Sequence, residues 1–201
     1  MKEVKIKRLL LGLIPVMLLL VSISCITEET ESKVKEEKPT LTEEQQEEWV
    51  ERGCLAVSTI EEASRLAGYK VAMPTSIPES YLPGDFVLNQ LGFPPQLGGE
   101  WGQARRAVEQ HWTWPDSPKI NILLIQHPGT DQNIRGEPIE ICGRSGGRGF
   151  FEAGNGREYP FVVLHWRDGD IFYSLGGSLV GTLTEETLHQ IACSVRVKEE
   201  G

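Results

Sequence analysis

The side chains with most chemistry to offer are four histidines, four cysteines, a glycine–arginine tract and five tryptophans. His111, His127, His165 and His189 stand on separate stretches, without the close pairs of a zinc site such as H-E-x-x-H or C-x-x-C. No metal or other cofactor is therefore expected. Asp168-Gly169-Asp170 brings two carboxylates together, but a calcium loop needs more oxygens, and the triplet reads as a hairpin turn. Gly143-Arg144-Ser145-Gly146-Gly147-Arg148-Gly149 is basic and glycine-rich. A phosphate cradle would lead through Gly-Lys-Ser/Thr into a helix; this tract leads into Phe150-Phe151 and reads as a flexible hairpin loop. Ser145 has no nucleophile elbow around it. With no acid, base and nucleophile in one constellation, the protein is expected to be non-enzymatic.

Trp112 and Trp114 are two apart and would share a strand face, a platform on which a sugar ring can stack. Ile120, Ile122 and Leu124 on one face, with Leu123 and Ile125 on the other, describe a strand covered on both sides. The second cover is either protein or an apolar ligand held in a half-open sheet. Three roles follow: a binding or protein-interaction module, a carrier of a lipid or other apolar ligand, and a glycan binder using Trp112 and Trp114.

Charge narrows the partners. The chain has 201 residues, with 20 basic and 29 acidic side chains. Without its first 24 residues the balance is 16 against 28, a net charge of −12. Nucleic acid needs clustered positive charge, so it is excluded as a partner. Those first 24 residues read as an address. Lys2, Lys5, Lys7 and Arg8 precede an apolar run, Leu9 to Ile23, interrupted by Pro15. Fifteen helical residues would rise about 22 Å, less than a spanning helix needs. Val21-Ser22-Ile23-Ser24-Cys25 follows at the end of the run. This order resembles a bacterial lipoprotein signal, departing from it at Ser22, where leucine is usual. The resemblance implies diacylation of Cys25, palmitate being a typical chain, with residues 1–24 as signal peptide and the mature protein anchored on the extracytoplasmic side of the cell membrane. Two acyl chains make a stable anchor without a transmembrane helix.

From residue 25 to 49 the chain is an acidic tether. Ile26 to Glu48 carries nine acids and three lysines with little to bury, so disorder is expected. Its second half has helical signals: Thr42 with Gln45 makes a capping box, Gly53 is a stop, and Trp49 and Val50 form a small apolar edge. A single globular domain is expected over 50–198, as a monomer with a possible protein partner in the cell envelope.

The elements that must position these residues are legible in outline. Ser58 to Glu61 reads as a second capping box, and Ile60, Ala63, Leu66 and Ala67 share a helical face ended by Gly68. Pro74, Pro78 and Pro83 force an extended, irregular path. The period then changes to two, with strands expected at 85–91, 106–114, 119–127, 138–142 and 149–153. In PFVVLHWRDGDIFYSL, an Asp168-Gly169 turn pairs Trp166 with Ile171 and puts Leu164, Trp166, Ile171 and Tyr173 on a core face. Thr184 caps a last helix whose stripe is Leu188, Ile191, Ala192 and Val195. The expected fold is α+β: an antiparallel sheet of about five to seven strands with an N-terminal and a C-terminal helix packed on one face.

The stretches EEASRLAGYKVAMPTSIPESY, HWRDGDIFYSL and LTEETLHQIACSV together resemble the bacterial and archaeal family called domain of unknown function 4367, over roughly residues 59–196. The resemblance implies a helix, a proline-rich lead into a sheet, a tryptophan–tyrosine hairpin and a short final helix, often on membrane-tethered proteins. It brings no catalytic residues.

Cys54, Cys142 and Cys193 remain, and three cysteines allow three single bridges. Cys193 lies beside the stripe of the last helix, and Cys54 just before the first helix of the domain. With both helices on one sheet face, Cys54–Cys193 is the candidate pair, tying the domain's ends together, and three buried, reduced cysteines are the alternative.

Overall fold

The computed structural model describes residues 40–90, 106–129, 134, 136–154 and 156–197. Three helices form where caps and stops demand them: α1 (Glu43–Arg52), α2 (Ile60–Ala67) and α3 (Glu185–Ser194). Thr42 and Gln45 bond each other's backbone in a capping box, and Gly53 closes α1 at φ 74°. The oxygen of Thr59 accepts from Glu62 N at 3.2 Å, so α2 starts one residue later than the Ser58 cap expected. Thr184 caps α3 by accepting from Thr187 N at 3.1 Å. Helix α1 lies partly within the expected tether, and Trp49 is 3% exposed, so ordered structure begins before residue 50.

Ten strands are interleaved with the helices: β1 (Cys54–Val57), β2 (Ala72–Met73), β3 (Leu82–Gln90), β4 (Arg106–Trp114), β5 (Ser117–Pro128), β6 (Glu137–Ile141), β7 (Arg144–Phe151), β8 (Phe161–Asp168), β9 (Ile171–Ser178) and β10 (Arg196–Val197), in the chain order α1-β1-α2-β2 to β9-α3-β10. Eight of them make one antiparallel sheet in the order β1-β3-β4-β5-β9-β8-β7-β6, and β2 pairs with β10 in a separate ribbon. The fold is α+β, with more strands than the five to seven expected and a third helix. Strand β1 is too short for a periodic signal. Strand β7 is the glycine–arginine tract, which is not a flexible loop: Gly146 lies opposite Trp166, and a Cβ on it would come within 2.7 Å of Ile141 Cδ1.

The sheet is two meanders joined where β5 meets β9, with Leu124 opposite Leu175. Register places Leu55, Leu88, Val108, Trp112, Leu124, Leu175, Leu164 and Trp166 on one face. The helices cover opposite halves of that face rather than lying side by side. Ala63, Leu66 and Ala67 of α2 pack with Leu55, Val57, Phe86, Leu88 and Val108. Leu188, Ile191 and Ala192 of α3 pack with Ile122, Leu124, Leu164, Trp166, Tyr173 and Leu175.

In the β8–β9 hairpin Asp168 pairs with Ile171 and Trp166 with Tyr173, so the turn residues are Gly169 and Asp170. The expected pairing of Trp166 with Ile171 is therefore slipped by two positions. Side chains alternate with period two, so this slip leaves every side chain on its expected face. Gly169 has φ +57°, the left-handed conformation that suits glycine at the first central position of a type II′ turn. Trp166 is 1% exposed and stacks on Tyr173 with centroids 5.2 Å apart. Trp166→Ala is expected to cost about 3–5 kcal/mol in chemical denaturation, and Gly169→Val about 1–3 kcal/mol. An unchanged midpoint for Trp166→Ala would contradict its place in the core.

Candidate functional site

A cleft of about 940 Å³ opens between the start of α2 and the β2–β10 ribbon. Ile60, Met73, Phe86 and Val197 give it apolar walls, while Thr59, Glu61 and Arg196 stand among its polar lining. Polar side chains hold in place the ribbon that forms one of its walls. Gln126 in β5 accepts from Ala72 N at 2.8 Å and donates to Ala72 O at 2.9 Å, imitating a neighbouring strand for β2. Tyr69 donates to Gln126 O at 2.6 Å. Its hydroxyl is pushed well above the ordinary range by burial. At the other end of the ribbon, Ser194 Oγ accepts from Thr75 N at 3.1 Å and Ser76 N at 3.3 Å. Nothing local in the sequence announces this cleft, because Met73 and Val197 meet only through the ribbon.

A second constellation runs along α3. Glu185, His189 and Cys193 are spaced four apart and face the β6–β7 edge. Arg148 of β7 grips both oxygens of Glu185, with Nη2 2.8 Å from Oε2, and reaches Glu137 at 3.2 Å. His189 Nε2 lies 2.9 Å from the Glu140 carbonyl oxygen. Cys193 is bridged to Cys142, with Cα atoms 5.5 Å apart. The Cys54–Cys193 pair is thus corrected. Cys54 opens β1 at one edge of the sheet and is a free thiol, whereas β6, which ends beside Cys142, is the opposite edge and lies against α3.

The other expected site residues are dispersed. Cys25 lies outside the described residues. Trp112 is 4% exposed on the core face, so its ring offers no platform for a sugar. Trp114 follows a register shift and packs edge-on to Tyr81 at 5.5 Å. Burial pushes the Tyr173 hydroxyl up to about 12, and Asp168 pairs with Arg144 at 2.7 Å. Among the described residues no three His, Cys, Asp or Glu side chains gather to hold a metal ion. His111 pairs with Glu109 at 3.6 Å. His127 and His165 sit on the sheet face away from the helices and stack on either side of Phe172, with centroids 5.2 Å and 5.8 Å away.

His165 Nδ1 is buried without a hydrogen-bond partner among the described residues, and burial holds its imidazole below the usual 6.5. The Arg148 hydrogen bond holds the Glu185 carboxyl below 4.5. Both depressions act in one direction. The unfolded chain takes up each proton first, so stability is full above the unfolded value and falls as pH drops through it. Thermal melting is expected to decline between about pH 7 and pH 5 through His165, and again below about pH 4.5 through Glu185. His165→Gln should flatten the first decline and leave the second. A parent protein whose melting does not change between about pH 7 and 5 would contradict the assignment.

No family model, no curated protein and no solved structure matches this chain.

Proposed function

We propose that this protein is a lipid-anchored, extracytoplasmic, non-enzymatic binding module whose ligand seats an apolar part in the cleft between α2 and the β2–β10 ribbon. The observation that carries the reading is the cleft itself. Its volume of about 940 Å³ falls in the range of small-molecule sites, and its apolar walls with a few polar groups suit an acyl chain or a similar amphipathic ligand. The half-open sheet expected for a carrier is replaced in this reading by a gap between helix and ribbon. Anchoring rests on the order of basic start, apolar run and Cys25, and on the resemblance to membrane-tethered domains. No described helix is long and apolar enough to cross a membrane.

A protein partner is the second reading. Phe150 and Phe151 at the end of β7 are 46% and 42% exposed, and Arg148 and Arg157 stand over their rings at 5.4 Å and 4.9 Å. Exposed aromatics beside arginines are the residue types that anchor interfaces.

One measurement separates these readings, and a second tests the anchor they share. Val197 is 38% exposed, so Val197→Asp should leave melting unchanged while weakening a fluorescent fatty-acid probe about tenfold. Failure of the parent protein to bind the probe at micromolar concentration would leave the cleft without this role and favour a partner at the exposed phenylalanines, Phe150 on the helix side of the sheet or Phe151 on the other. Cys25→Ser should release the protein from membranes without unfolding it. A variant that resists high-salt and carbonate washing would instead be held by an uncleaved N-terminal helix.

A further inference from the structure

The Cys142–Cys193 bridge carries features that a purely structural disulfide does not require. Both cysteines are exposed. Cys142 occupies a two-residue turn between Ile141 and Arg144 and has φ +54°, the sole described non-glycine residue at positive φ. That backbone conformation favours glycine or asparagine, so cysteine stands there against its conformational preference. The third feature is His189. Its Nε2 faces the carbonyl oxygen of Glu140, which can only accept, so Nε2 carries the hydrogen. In the neutral ring Nδ1 then presents its lone pair, and it points at Cys193 Sγ from 3.7 Å. A base fixed in this tautomer beside one sulfur of an exposed bridge has a chemical use.

We propose that Cys142–Cys193 is a thiol–disulfide exchange site, with Cys193 as its nucleophile and His189 as its base, acting with an external dithiol or disulfide. In the reducing direction a thiolate of the donor dithiol attacks Cys142 Sγ. The Cys142–Cys193 bond breaks, and Cys193 leaves as a thiolate that a protonated His189 stabilises. The donor's second thiol attacks its own sulfur in the mixed disulfide. Cys142 is released and takes a proton, and the donor departs as a disulfide. Two electrons pass from donor to bridge, and the two donor protons end on Cys142 and on the Cys193–His189 pair. In the oxidising direction His189 Nδ1 takes the Cys193 proton. The thiolate attacks the disulfide of an oxidant, and Cys142 then displaces the oxidant's sulfur to restore the bridge.

The experiment uses the full chain carrying Cys25→Ser and Cys54→Ser, so that one pair of thiols is read. Dithiothreitol should open the bridge while the cooperative melting transition persists. With reductant removed, iodoacetamide should alkylate Cys193 at least about tenfold faster than Cys142, read by peptide mass mapping. His189→Gln keeps a donor for Glu140 O but supplies no base, and should slow Cys193 alkylation by about the same factor. If that variant does not fold, the ratio of Cys193 to Cys142 alkylation in the parent decides alone. A bridge that opens only on unfolding, equal alkylation of the two sulfurs, or a Cys193 rate unchanged in His189→Gln overturns the proposal.

Discussion

Helix α3 has ten residues, too few to persist alone in water, yet among the described helices it alone covers the β6–β9 half of the sheet. It stays because it is held along two stripes. Leu188, Ile191 and Ala192 bury against Leu164, Trp166 and Leu175, a contact that is strong but not directional. Glu185, His189 and Cys193 supply the direction: an ion pair at the first turn, a hydrogen bond to a strand carbonyl in the middle and a covalent bond at the end. The same contacts guard strand β6. An edge strand presents unpaired backbone groups, and here the Glu140 carbonyl is taken by His189 while Pro138 has no amide hydrogen to offer.

The cleft inherits its shape from that placement. Ser194, the last residue of α3, accepts from Thr75 and Ser76, and Arg196 and Val197 then pair with the β2 strand that Gln126 holds from beneath. Met73 and Val197 therefore stand where they do because α3 ends where it does. The Cys142–Cys193 bridge and the cleft lie at the two sides of one helix terminus, with Cys193 and Ser194 adjacent in the chain.

Short-range signals were sufficient wherever one residue type sets a backbone angle or satisfies an orphan group. Thr42, Thr184, Gly53, Gly68 and Gly169 mark their elements in the sequence and hold those places in the fold. The β8–β9 faces were also legible, since a two-position slip does not change which side a residue faces. What depends on strand order was not. Gly146, Gly147 and Gly149 erase the alternation that would mark β7, although Gly146 is required there by the packing of Ile141. The disulfide partner of Cys193 follows from β6 being an edge under α3, a fact of topology that no spacing of cysteines contains. Gln126 reads as one polar residue within the 119–127 strand until β2 is seen to need it.

Hydrogen exchange on the folded protein, with the Cys142–Cys193 bridge closed and then open, tests most directly whether α3 is held by its seam. With the bridge closed, the amides of α3 should share the protection of β8 and β9 and exchange only through large-scale opening. With it open, protection should fall in α3 and β6 together while α2, β3 and β4 keep theirs. Fast exchange of α3 in the bridged protein, or a loss spread evenly over both halves of the sheet, would contradict the account.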